Sequence, residues 1–96
     1  MKRLIVRPEA EADISDAFGW YETQLPGLGG EFLLELEKIL ELIAERPLLF
    51  AEVNGPVRRA VTKRFPIGVF YISDSEAISI LSVLHLARDP SAWPHA

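Results

Sequence analysis

The chain contains no cysteine and only two histidines. The first absence excludes a disulfide framework, a thiolate metal site and a cysteine nucleophile, and makes a reducing compartment the simplest setting. The second leaves a conventional zinc site poorly supplied, so no metal and no other cofactor is expected. No apolar run approaches the roughly 18 residues of a membrane span, and Leu4-Ile5-Val6 is too short for a signal-peptide core. The reading is a cytoplasmic protein with no membrane partner. Repeats, low-complexity tracts and linker-like stretches are also missing, which leaves one domain over residues 1–96.

What is present is ordinary globular material, 49% hydrophobic and 25% charged over 96 residues, enough for one modest core. A net charge of −4 speaks against a nucleic-acid binder until it is resolved by position. Residues 1–56 hold five basic residues against eleven acidic ones, net −6, whereas residues 57–96 hold five against three, net +2. An acidic half precedes a mildly basic one.

Leu4–Val6 is a short β-forming run before Pro8, which suits a first strand over about residues 2–7. From Glu9, the apolar residues Ala10, Ile14, Ala17, Phe18 and Tyr21 line one helical face to about Glu22 or Thr23, and Glu9, Glu11, Asp13 and Asp16 favour the early turns through the helix dipole. Pro26, Gly27, Gly29 and Gly30 interrupt this pattern. Phe32, Leu33, Leu36, Ile39, Leu40 and Ile43 then define a second helix over about 29–46, with Glu31, Glu35, Glu41 and Glu45 on its solvated face. Three β-rich runs follow, Val57–Lys63, Ile67–Ser73 and Ala77–Leu86, on connections short enough for an antiparallel meander. The expected fold class is α+β, in the order β-α-α-β-β-β. A helix hairpin packs on one face of a small, mainly antiparallel sheet, and Trp93 folds back from the tail.

Three groups of residues offer chemistry. The segment Pro26-Gly27-Leu28-Gly29-Gly30 sets glycine amides at a helix start, where an anion can bind, but no phosphate-loop lysine, serine or threonine follows, so a plain turn is the better reading. Arg58, Arg59, Lys63 and Arg64 form a basic run whose alternation sends Arg58 and Arg64 to one sheet face and Arg59 and Lys63 to the other. These cations either protect a strand edge and pair with helix glutamates, or meet phosphates or an acidic partner protein. His85 and Arg88 end the last strand, near Trp93 and His95; an imidazole and a guanidinium there can serve as proton shuttle and oxyanion clamp, or can simply be hydrogen-bonded and ion-paired. No serine sits in a nucleophile elbow, so a hydrolytic triad is not drawn.

Ala12–Ile14, Trp20–Glu22, Gly27–Phe32, Val57–Arg59, Phe65–Ile72 and Val83–Trp93, taken in this order and spacing, resemble the RelE/ParE superfamily of type II toxin–antitoxin toxins, the plasmid stabilisation type. The similarity spans essentially the whole chain. It implies a small bacterial toxin masked by a cognate antitoxin. It also implies one of two targets: RelE-like members cut mRNA in the ribosomal A site, and ParE-like members poison DNA gyrase. Matched residue by residue, the nuclease pattern finds Arg58, Arg59, Lys63 and Arg64 after the second helix and Arg88 near the last strand. The middle strand begins Ile67-Gly68, where that pattern has an arginine. With that cation missing and few basic residues to dock on ribosomal RNA, the resemblance implies a ParE-like growth inhibitor acting on gyrase. The alternatives are a ribosome-dependent mRNA endonuclease and a non-toxic binding member. Catalytic roles stay unassigned, with Arg59, His85 and Arg88 as candidates; Arg58, Arg59, Lys63, Arg64, Arg88 and Trp93 are the expected contacts to antitoxin or target.

Overall fold

Strand β1 (Arg3–Val6) leads through Pro8 into helix α1 (Pro8–Gln24), and Leu25–Gly27 turns the chain into helix α2 (Leu28–Glu45). Strands β2 (Glu52–Asn54), β3 (Val57–Val61), β4 (Ile67–Ser73) and β5 (Ala77–His85) follow, and a 3₁₀ turn at Pro90–Ala92 opens the tail. The computed structural model describes residues 2–95. The strands form one sheet in the order β1-β5-β4-β3-β2, parallel only where β1 meets β5.

The expected α+β architecture therefore forms, with one strand more than the β-α-α-β-β-β reading contained. The missed strand, β2, had a readable signal: Asn54-Gly55 is a strong hairpin pair, and Gly55 adopts the left-handed conformation at φ 58° that such a turn requires. Its three residues are too few to show alternation, and its pairing with β3 shifts register between Glu52 and Asn54. At the other end of the hairpin, β3 stops at Val61 rather than Lys63. There the Thr62 hydroxyl donates to the Phe65 carbonyl and bends the chain into the next turn.

Burial separates two apolar clusters, one on each side of the sheet. On the helix side, Ala10, Tyr21, Phe32, Leu36 and Ile43 pack against Ala60, Ile67, Val69, Tyr71, Ile78, Ile80 and Val83. Phe65 closes this cluster, its ring centre 4.8 Å from that of Tyr21 and 5.8 Å from that of Phe32. The opposite face carries a smaller cluster, Val57, Phe70 and Leu84, covered by Val53, Ile72, Leu81 and Trp93. The tail thus supplies the cover that the second face needs, because a small two-layer fold otherwise leaves that apolar surface wet.

One irregularity decides which face the end of β5 presents. Phe70 pairs with Ser82 but Tyr71 pairs with Ile80, so Leu81 is an extra residue in the ladder. A bulge inverts the alternation of everything after it. Ile78 and Ile80 face the helices before the bulge and Val83 faces them after it, and His85, two residues further on, joins the same side.

Candidate functional site

The basic run does not form one patch. Arg58 is directed to the helix side, where its guanidinium donates to the Phe50 carbonyl at 2.7 Å and lies 3.8 Å from the Glu52 carboxylate. It staples the loop after α2 to β3. Arg59 goes to the opposite face, its stem lying over Gly68 and its guanidinium 5.0 Å from the centre of the Trp93 ring. That ring packs in turn on Phe70, 5.3 Å between centres. Arg64, past the strand end, pairs with Glu31 in the first turn of α2 and sits over the Phe65 ring. Lys63 is exposed beside a groove between α2 and β3.

The pairing of strand cations with glutamates of the second helix is therefore realised at Arg64, while Arg58 finds its carboxylate on β2. Arg88, for which ion pairing is one of the two readings left open, is in no ion pair among the described residues. The Asp89 carboxylate accepts from the Ser91 amide at 2.9 Å and caps the tail turn, which holds its pKa below the usual carboxylate value. The acid that feels the Arg88 charge is Asp13 of α1.

Asp13 is a residue whose role the sequence concealed. Its carboxylate accepts from the Val83 amide at 2.9 Å, capping a strand edge that β1 no longer covers, because β1 ends at Val6 opposite Ile80. Burial raises the pKa of Asp13; the Val83 amide and Arg88 pull it down, and Asp16 and Glu9 push it up. In sequence it is only one of several acids in the first turns of a helix, suited to the dipole. No signal marks it as a clip between α1 and β5.

His85 is exposed, and its Nδ1 accepts from the Ala87 amide at 3.0 Å, which fixes the tautomer with the proton on Nε2. With Ala17, Trp20, Tyr21, Ile67 and Val83 it lines an apolar pocket of about 290 Å³. Trp20, 60% exposed, forms the outer wall, while Tyr21 belongs to the core. The tail histidine, His95, lies apart from His85, its Nδ1 2.6 Å from the Asn54 side-chain amide; that amide also donates to the Pro94 carbonyl at 3.2 Å.

The glycine segment at the start of α2 is a turn whose amides are already used. The Glu22 carboxylate accepts from Gly27 at 3.2 Å and from Gly29 at 2.8 Å, placing a fixed negative charge where an anion would sit. A side chain at position 29 would also collide with the hairpin, since a Cβ there falls 2.7 Å from Cγ of Glu22 and 2.8 Å from the Phe18 ring.

The structure thus brings Arg59 and Trp93 together, leaves His85 and Arg88 exposed near the end of β5, and disperses Arg58, Lys63 and Arg64. Residues 4–90 match the family described as the ParE toxin of the type II toxin–antitoxin system, parDE. Toxin ParE2 of Mycobacterium tuberculosis, matched in two strains, is 29% identical over 92 residues, covering 95% of this chain and 88% of the relative. Among solved structures, a chain of the chromosomal ParDE toxin–antitoxin system from P. aeruginosa superposes with a TM-score of 0.79 at 17% identity. The match covers 88% of this chain and 96% of that one, a likeness of fold.

Proposed function

Because the chain belongs to the ParE toxin family of type II toxin–antitoxin systems, we propose that it arrests growth by acting on DNA gyrase in the cytoplasm and that a cognate antitoxin neutralises it. The observation that carries this reading over ribosome-dependent mRNA cleavage is the placement of Arg59 under Trp93. Cleaving a phosphodiester onto its own 2′-hydroxyl needs a proton acceptor and at least one cation aimed at the same phosphate. Here Arg59 is stacked on an indole, Arg58 is tied to a backbone carbonyl and Arg64 is paired with Glu31. The early β4 position holds Gly68, against which the Arg59 stem packs. His85 and Arg88 then serve as contacts on a protein target, not as a reaction centre.

The test uses the purified toxin in two assays. Gyrase supercoiling should be inhibited and cleaved DNA complexes should accumulate. Cleavage of mRNA in the presence of ribosomes, with gyrase unaffected, would overturn the gyrase reading in favour of the nuclease.

A further inference from the structure

The apolar pocket between α1 and β5 carries a buried hydroxyl with nothing to bond. Tyr21 is 8% exposed, yet its hydroxyl makes no hydrogen bond among the described residues; burial alone moves its pKa, raising it above the ordinary 10.0 and so keeping the proton in place. The other core tyrosine shows the usual outcome, its Tyr71 hydroxyl donating to the Pro47 carbonyl at 2.6 Å. No side-chain nitrogen or oxygen among the described residues is both sealed from solvent and unpaired. The Tyr21 oxygen therefore keeps an opening, and Tyr21 lines this pocket.

His85 adds a second donor, because its Nδ1 is taken by the Ala87 amide and the proton stands on Nε2. Trp20, the exposed outer wall, has only an indole N–H to offer. Ala17, Ile67 and Val83 complete the lining, and no lysine or arginine belongs to it. An anion finds no counter-charge there, and the Asp13 carboxylate bonded to Val83 opposes it further. An extended main chain also finds little to pair with, since the amides of Val83, Leu86 and Ala87 already donate to Asp13, to the Pro66 carbonyl and to His85. At about 290 Å³, the space exceeds the roughly 150 Å³ that accommodates benzene and stands at the small end of ligand pockets. What fits is neutral and compact, with an acceptor oxygen.

We propose that this pocket binds a free, neutral aromatic compound of one or two rings that carries a carbonyl oxygen. The flat ring lies against Ala17, Ile67 and Val83 and beside the Trp20 indole, where aromatic surfaces attract one another. The two lone pairs of the oxygen accept from the Tyr21 hydroxyl and from His85 Nε2. Neither gyrase nor an antitoxin is needed for this binding.

The probe is acetophenone, titrated into the isotope-labelled chain while amide and indole N–H resonances are followed by NMR. The Trp20 indole and the Val83 and His85 amides should shift saturably, with a Kd of about 1 mM or tighter, while the Trp93 indole on the other face of the sheet stays in place. Tyr21→Phe should keep the unfolding midpoint, since no hydrogen bond is lost, and should weaken acetophenone binding about three- to ten-fold. Ethylbenzene has the same outline without the oxygen, and should bind Tyr21→Phe as tightly as the unaltered chain or more so. Ala17→Leu fills the space and should abolish the shifts from both compounds, with a thermal melt to establish that it folds. Absence of a saturable shift, or equal acetophenone affinity in Tyr21→Phe, would overturn the proposal. So would the same resonances moving only when a co-produced antitoxin is added, which would assign the pocket to a side chain of a protein partner.

Discussion

The Arg59 guanidinium lies 5.0 Å from the centre of the Trp93 ring, joining β3 to the C-terminal tail across the face of the sheet opposite the helices. Trp93 also covers Phe70, so one contact both anchors the tail and withdraws a cation from solvent. Removing either partner should loosen the tail. Arg59→Ala and Trp93→Ala should each destabilise the fold, by about 1 and about 1–3 kcal/mol, with a coupling of about 0.5–1 kcal/mol between them. Urea unfolding of the two single variants and the double variant measures this; strictly additive losses would mean the stacking contributes nothing.

Arg88, by contrast, is exposed and belongs to no ion pair among the described residues. Arg88→Glu should change stability by no more than about 0.5 kcal/mol yet relieve growth arrest. Colony counts after induction, set beside a thermal melt of the purified variant, check both halves. Undiminished toxicity would remove Arg88 from the target surface.

The Asp13 clip predicts a pH dependence of known sign. Its native pKa is raised above the ordinary 3.8, so the folded state holds the proton more tightly than the unfolded state. That contribution favours folding at low pH and is lost as pH climbs from 3.8 through the raised native value; above it the contribution is constant. Asp74 and Asp89, whose pKa values are lowered by backbone amides, act in the opposite sense: they stabilise above 3.8 and lose that effect as pH falls through their native values. Asp13→Asn should therefore make stability rise more steeply with pH across the acid range, because a term of opposite slope is gone. Urea midpoints from pH 3 to pH 7, roughly the span in which carboxylates titrate, should show this, and an unchanged slope would contradict it. Asp13→Ala should cost about 1–3 kcal/mol at neutral pH, since the Val83 amide loses its acceptor.

Neighbouring glycines in α2 should respond in opposite directions. Gly29→Ala forces a methyl to within 2.7 Å of Glu22 Cγ and should cost about 1–3 kcal/mol through separation of the hairpin. Gly30→Ala meets nothing within 4 Å and should stabilise the helix by about 0.5–1 kcal/mol. Thermal melts of the two variants compare them directly; equal effects would show that the hairpin is not packed as described.

The sequence by itself determined the two helices, the three longer strands and the return of Trp93, because each rests on a local period or on a single large apolar side chain seeking cover. Helix ends fell within a residue or two of Pro8–Gln24 and Leu28–Glu45, since Pro and Gly punctuate them directly. It also showed an acidic helix pair joined to a more basic sheet.

Tertiary structure decided how the functional side chains are shared out. Arg58 and Arg59 are adjacent in the chain yet end on opposite faces, one holding a loop and the other a tail. His85 stands on the helix side only because the extra residue Leu81 inverts the alternation of β5, and nothing local in Ile80-Leu81-Ser82 announces that bulge. Asp13 caps Val83 across 70 positions of sequence, while the buried Tyr21 hydroxyl of the same helix meets no partner among the described residues. Periodicity reports which face of an element is apolar; which polar group gains or lacks a distant partner is set by the packing of the whole chain.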